Sequence, residues 1–386
     1  MSIYDFDKVI NRRQSGSTKW DLFDSDVLPL WVADMDFPVL SEIQTALQER
    51  IAHPFFGYQK SDSQVLEFIC DWLQKRHTWH VDPEDILLIP GVVSGFNWVV
   101  SAFTDTNAGV AFNTPVYFPF FDIEKHLGIN QIEIPLVRRD GRYEIDFEQF
   151  HKIISAGKTS VFLLCNPHNP VGRVFNKEEL ESVGEICLAN DVIICSDEIH
   201  SDIVFPGQKH IPIASLSPML AERTITLMAP SKTFNIPGLQ FSFAICHNHE
   251  MREKLEKARK GMLERPNILA ETAAKAAYQH GGRWLEELIM YLEDNLEFLS
   301  AFLSEHIPEI QFTKPEGTYL AWLECSALGL TQPPFEFFLN EAKVALNEGI
   351  RFGRQSSQFV RMNFGCPRTV LQEALQKMKQ AVDLYR

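Results

Sequence analysis

The segment Ser231-Lys232-Thr233-Phe234-Asn235 holds the residue of this chain best suited to covalent chemistry. Lys232 follows the β-rich run Thr224–Met228 and opens a loop punctuated by Pro237 and Gly238. Lysine is a strongly hydrated cation that seldom sits among apolar strands unless it is paired or chemically used. Desolvation lowers its pKa and exposes the amine as a nucleophile, so the chemistry on offer is an imine with an aldehyde cofactor. In isolation the segment reads better as a surface lysine in a strand-to-helix loop, and three other strand ends reverse that. Residues 192–195 form an apolar run that ends in Ser196-Asp197-Glu198-Ile199-His200, an acidic group at the carboxyl end of a strand, where parallel sheets present their ligands. Residues 160–165 lead into Asn166-Pro167-His168-Asn169-Pro170-Val171-Gly172, a rigid loop that carries the Asn169 amide. Ile86–Ile89 leads into Pro90-Gly91-Val92-Val93 and an apolar helical run. Free N–H groups at the start of such a helix make a phosphate site.

Together these segments describe a pocket for pyridoxal 5′-phosphate (PLP), and they resemble those of the fold-type I PLP enzymes of the aminotransferase class I/II superfamily. The motifs Asn-Pro-His-Asn-Pro, Ser-Asp-Glu-Ile-His-Ser-Asp and Ser-Lys-Thr-Phe-Asn are similar to those of the MalY/PatB-type cystathionine β-lyases, or C–S lyases. The likeness runs from Trp31-Val32-Ala33-Asp34-Met35-Asp36-Phe37 to Arg361-Met362-Asn363-Phe364-Gly365-Cys366-Pro367.

The resemblance implies a role for each matching residue. Lys232 carries the cofactor and acts as base on the substrate Cα proton. Asp197 pairs with the pyridine nitrogen, and Asn169 donates to the ring oxygen. His200 stands where many aminotransferases carry a tyrosine near that oxygen; a structural histidine is the alternative. Tyr117 stacks on the ring and assists the leaving thiolate, unless it is an ordinary core aromatic. The backbone of Val92 and Val93, with the Ser231 hydroxyl, holds the phosphate. Family members often place an arginine after the Pro-Gly of the lysine loop; here the chain reads Gly238-Leu239-Gln240, so that ionic contact is missing. Arg361 grips the substrate carboxylate as a planar fork, and Ala33 lines the substrate side. Tyr58 reaches the neighbouring subunit's phosphate, which implies a homodimer of C2 symmetry.

The elements that must position these groups follow from pattern and length. At 386 residues the chain is too long for one ordinary core. Between residues 48 and 281 short β-rich runs alternate with amphipathic stretches such as 177–187, which predicts an α/β fold with a mostly parallel sheet covered by helices on both faces. The resemblance implies more narrowly the fold of the PLP-dependent transferases, aspartate aminotransferase-like. Residues 48–281 are expected to form the large PLP-binding domain. A smaller α/β domain takes residues 1–47 and 282–386, with helical patterns at 284–306 and 370–385 and a β pattern at 317–323. The charged stretch 250–264 reads as a solvated helix face.

Composition narrows the partners. Apolar content of 45% and charged content of 23% are those of a soluble globular protein. No apolar run approaches a membrane span, and the polar start is no signal peptide. Seven cysteines without a Cys-x-x-Cys pair fit buried thiols in a reducing cytoplasm. A net charge of −15 disfavours nucleic acid and anionic membranes as partners, and the resemblance implies a small sulfur amino acid instead. Histidines 77, 80, 247 and 249 lack further ligands in sequence and read as non-metal positions. The expected reaction is β-elimination from cystathionine or a cysteine-type substrate to a thiol (homocysteine or sulfide), pyruvate and ammonia. An aminotransferase is the alternative on the same cofactor, and a PLP-binding regulatory protein is a third reading.

Overall fold

The computed structural model describes residues 4–60, 62–104 and 108–386. Seven strands form the main sheet: β1 (Ile86–Ile89), β2 (Gly109–Thr114), β3 (Gln131–Pro135), β4 (Thr159–Cys165), β5 (Ile193–Asp197), β6 (Thr224–Met228) and β7 (Ser242–Ile245), in the order β1-β7-β6-β5-β4-β2-β3. Only β7 runs antiparallel to its neighbours β1 and β6; the other pairings are parallel. The expectation of a mostly parallel sheet therefore holds.

Both faces of this sheet are covered, which explains its unbroken apolar runs. Val161, Leu163 and Cys165 of β4 point into one core, with Phe96 and Val99 of the helix Val92–Phe103. Phe162 and Leu164 point into the other, with Phe150, Leu180 and Val183. Those last two belong to the helix Lys177–Ala189, which begins where the sequence pattern put it. Asn176 accepts from the Glu179 N–H, and the Glu179 carboxylate accepts from the Asn176 N–H, a reciprocal cap.

A second sheet of four strands, β8 (Gln311–Phe312), β9 (Leu320–Glu324), β10 (Asn347–Glu348) and β11 (Phe359–Asn363), is antiparallel in the order β8-β9-β11-β10. Leu28–Pro29 pairs in parallel with Val344–Ala345, tying the N-terminal region to this half of the molecule. The helices expected at 284–306 and 370–385 run over Gly282–His306 and Arg368–Tyr385. The helix Ser41–Ala52 continues through position 47 and packs on the helix Ile268–His280. Among the described residues no helix is long and apolar enough to cross a membrane.

One helix departs from the sequence reading. His249–Arg259 is not only a solvated face: Met251, Leu255 and Arg259 are buried on it. Arg259 lays its aliphatic stem inward and donates through Nη2 to the Leu88 carbonyl at 2.7 Å.

The loop after β4 is held against the second half of the chain by a buried ion network. Arg173 pairs with Glu179 and with Glu316, and Glu316 also accepts from Arg142 and from the Val174 N–H. Gly172 makes that approach possible. Its φ is +72°, and a Cβ there would lie 2.2 Å from Pro315 Cβ. Gly207 has a similar φ of +89° but faces open space. Gly172→Ala is therefore expected to lower unfolding stability by about 2–5 kcal/mol, combining backbone strain with overpacking. Gly207→Ala should cost only the backbone part, about 1–2 kcal/mol. Denaturant unfolding of the two variants checks the ranking, and equal losses would disprove it.

Candidate active site

The carboxyl ends of β1, β4, β5 and β6 and the loop after β2 converge on a cavity of about 330 Å³. Its lining brings together Ala33, Val92, Val93, Tyr117, Asn169, Asp197, His200, Ser231 and Lys232. Sequence positions more than 190 apart thus share one wall, because parallel strands deliver their following loops to the same edge. Gln240, which stands where the family often carries an arginine, lines the same cavity. Two expected residues lie elsewhere. Arg361 is buried behind Asn169, to which it donates. Tyr58 is fully exposed on the extended segment after Ser41–Ala52, outside this chain's own cavity.

At one end the helix Val92–Phe103 starts without a side-chain cap. Its first-turn N–H groups face the cavity, and Ser231 lines the same space. Gly91 is extended, with φ −171°, so its conformation does not require glycine. A Cβ there would meet no protein atom within 4 Å, so the missing side chain leaves open room beside those N–H groups. Donors, dipole and room together fit a phosphate.

At the centre lie charges without counter-ions. The Asp197 carboxylate accepts from the Ile199 N–H at 3.2 Å and joins no ion pair among the described residues. Burial pushes its pKa up to about 7, Glu198 adds to the rise, and Lys232 opposes it. A buried carboxylate in this state fits the protonated nitrogen of a heteroaromatic ring. Lys232 donates from Nζ to the Ala33 carbonyl at 2.6 Å. Burial first, and repulsion from Arg361 second, push its pKa down to about 8. His200 is driven well below the usual histidine range by burial and by the same two cations, so its imidazole is neutral; its Nδ1 is buried without a partner. Burial holds the Tyr117 hydroxyl above its ordinary value, keeping it protonated.

Arg361 is 2% exposed and reaches only neutral acceptors. It donates to Asn169 Oδ1 at 2.9 Å, to the Trp31 carbonyl at 3.1 Å and to Asn347 Oδ1, while Nε is buried and unpartnered. Because Asn169 Oδ1 is taken by Arg361, its Nδ2 is the group left to donate into the cavity. A buried guanidinium with no carboxylate at hand fits an anionic ligand.

Sequence reasoning missed several residues that hold this arrangement. Asn235 donates to the Met35 and Phe37 carbonyls and accepts from the Met35 N–H. Asn363 donates to the Val32 and Asp34 carbonyls, and the Tyr319 hydroxyl donates to Ala33 at 2.9 Å. Asn235 and Asn363 lie inside the quoted motifs, so their position was a usable signal; Asn347 and Tyr319 had none. Asp202 is a second such case. It accepts from Thr233 Oγ1 at 2.8 Å and from Trp72 Nε1 at 3.0 Å, with His77 Nε2 at 3.2 Å, bracing the residue next to Lys232. His247 lies 2.7 Å from Asp85.

Comparisons with known proteins agree with this geometry. The family model for aminotransferase class I and II matches residues 25–378. The chain is 42% identical to cystathionine beta-lyase PatB of Bacillus subtilis over 98% of its length and 99% of that protein's. It is 31% identical to protein MalY of Escherichia coli over the whole of both chains. Among solved structures, PLP-containing cystalysin from Treponema denticola superposes with a TM-score of 0.96 at 35% identity over both full chains. The PLP-bound C–S lyase from Staphylococcus hominis does so at 0.93 and 34%, over 98% of this chain and 99% of that one. With cavity, strand order and full-length similarity in agreement, this chain belongs to the aminotransferase class I and II family, on the branch that holds PatB and MalY.

Proposed function

We propose that this protein is a PLP-dependent C–S β-lyase that cleaves cystathionine or related cysteine-type substrates to a thiol, pyruvate and ammonia. The observation that carries the reading is the set of three titratable groups, the buried Asp197 and Arg361 and the half-buried Lys232, gathered without ion-pair partners among the described residues. Similarity to PatB and to the solved C–S lyase supports elimination over transamination.

PLP, when bound, supplies an aldehyde carbon for amines and an electron-withdrawing ring. The Val92 and Val93 N–H groups and the Ser231 hydroxyl would hold its phosphate, Asp197 its ring nitrogen, and Asn169 Nδ2 with His200 its ring oxygen, and Tyr117 would lie against the ring. Arg361 binds the substrate α-carboxylate, and the Ala33 segment closes the substrate side. Lys232, as a neutral amine, takes the Cα proton, and burial, by lowering its pKa to about 8, raises the share of free amine available near neutral pH. The Tyr117 hydroxyl gives its proton to the departing sulfur as the Cβ–S bond breaks. Water then completes the release of pyruvate and ammonia.

A homodimer belongs to the same proposal, with Tyr58 reaching the partner's phosphate. It is supported by the exposure of Phe55, Phe56 and Tyr58 on one arm, beside an open groove of about 840 Å³ along the helices Ser41–Ala52 and Ile268–His280. We further propose a cytoplasmic location, supported by seven free cysteines. The division into a large domain at 48–281 and a small one at 1–47 and 282–386 is likewise proposed.

Incubation with L-cystathionine is expected to release pyruvate without an added keto acid. A requirement for an amino acceptor would favour the aminotransferase reading. Lys232→Ala should lower turnover by at least about 10³-fold with the dimer intact, as judged by sedimentation. Asp197→Asn should lower it by roughly 10²-fold, because a neutral amide no longer favours the protonated ring by one to three pKa units.

The depressed lysine also makes a prediction on the cofactor-free protein. Between pH 8 and 10.5 the unfolded chain keeps a proton that folded Lys232 has released. Its contribution to stability therefore rises with pH across that window, and the full cost of burying the ammonium remains at pH 7. Lys232→Met should stabilise the cofactor-free protein by about 2–3 kcal/mol at pH 7 and by little above pH 10. Urea unfolding at the two pH values measures this, and a pH-independent effect would refute the assigned burial.

A further inference from the structure

The turn Gly349–Phe352 lies against the loop that carries Tyr117. The Val116 N–H donates to the Phe352 carbonyl at 2.8 Å, and the rings of Phe118 and Phe352 meet edge to face at 5.7 Å. Each ring supports a guanidinium. Arg361 lies over Phe352 at 4.9 Å and Arg351 over Phe118 at 4.0 Å. The outcome is a ladder of cation, ring, ring and cation that starts at the buried Arg361 and ends at solvent, where Arg351 is exposed. Among the described residues no carboxylate pairs with Arg351. Tyr117, which lines the cavity, meets Phe118 at 5.1 Å, so Arg351 stands one ring away from a cavity wall, and its positive charge acts on both Tyr117 and Arg361. Stacking on an aromatic face fixes the guanidinium plane and leaves its N–H edge free for a planar anion.

We propose that Arg351 is a specificity-determining residue that takes an anionic group at the far end of the leaving thiol, while Arg361 holds the α-carboxylate. The proposal rests on the C–S lyase reading and narrows its substrate class to cysteine S-conjugates with a distal carboxylate, of which cystathionine is one. The partly exposed Phe118 and the fully buried Phe352 separate the two guanidinia, and the thioether portion of such a substrate is the apolar piece that would span the distance between them. An uncharged conjugate gains from Arg361 alone. The contact with Arg351 is exposed, so its effect should be modest and should weaken with salt.

The test compares L-cystathionine with S-methyl-L-cysteine, which has no distal carboxylate. Pyruvate release gives kcat/KM for wild type and Arg351→Gln. Calorimetry on the cofactor-loaded Lys232→Ala protein, with and without Arg351→Gln, gives affinity where chemistry is blocked. Arg351→Gln is expected to weaken cystathionine about three- to fivefold in both measurements and to leave S-methyl-L-cysteine within about twofold. Arg351→Glu should widen the gap, and 1 M salt should close it in the unmodified protein. Equal effects on the two amino acids, or a gap that ignores salt, would overturn the proposal. If wild type releases no pyruvate from either compound, the lyase reading falls instead, and the binding comparison still decides what Arg351 does.

Discussion

Removal of charge from water without repayment inside the protein is the constraint on which this structure turns. Elsewhere the chain neutralises its buried ions internally: Arg173 against Glu179 and Glu316, Arg252 against Asp85, Lys19 against Asp36. In and directly behind the cavity wall it does not. Arg361 meets amide and carbonyl oxygens, Lys232 a carbonyl, and Asp197 a single N–H. An isolated buried ion costs several kcal/mol, and the groups respond by shifting their pKa values toward neutrality. A ligand that brings a ring cation to Asp197 and a carboxylate to Arg361 removes that penalty on binding. Part of the affinity of this site is thus stored as unpaired charge in the folded chain.

Keeping those charges apart requires a stiff frame. The register at the strand ends shows how it is built: Cys165, Asp197 and Leu227 lie level across β4, β5 and β6. Cys195 and Cys165 fill the core on one side of the sheet while Ile194 and Leu164 fill the other, so a strand cannot slide without burying its neighbours' voids. Asp197 therefore has little freedom to approach Lys232 and collapse into an ion pair with it.

Much of this was legible in the sequence because strand ends announce themselves. Apolar runs at 86–89, 160–165 and 192–195 stop at Pro-Gly, Asn-Pro and Ser-Asp signals, and each stop delivered a cavity residue. Arg361 was recognisable by its motif, but its partners were not. Asn347 lies 14 residues away and meets Arg361 only because β10 pairs with β11. Tyr319 reaches Ala33 across 286 residues. Such contacts arise from tertiary pairing, which local periodicity does not encode. The buried side of the helix His249–Arg259 was hidden for a different reason. Its charges outnumber its apolar residues, and long side chains such as Arg259 can bury their stems while keeping a polar head satisfied.

The least regular part of the site is held most heavily. Residues 31–37 form neither helix nor strand, so their backbone groups need partners from elsewhere. Side chains supply them to five successive carbonyls: Arg361 to Trp31, Asn363 to Val32, Lys232 and Tyr319 to Ala33, Asn363 and Lys19 to Asp34, Asn235 and Arg12 to Met35. The same segment carries Asp34 and Asp36 into a cluster with Arg12 and the fully buried Lys19. Buried ion pairs add little net stability over apolar packing, yet breaking one by removing a partner costs about 3–5 kcal/mol. A slip of this segment by one residue would strand Asp36 and Lys19 together and move a different carbonyl under Lys232. The quartet consequently fixes register, and with it the meeting of the Ala33 carbonyl and the reactive amine.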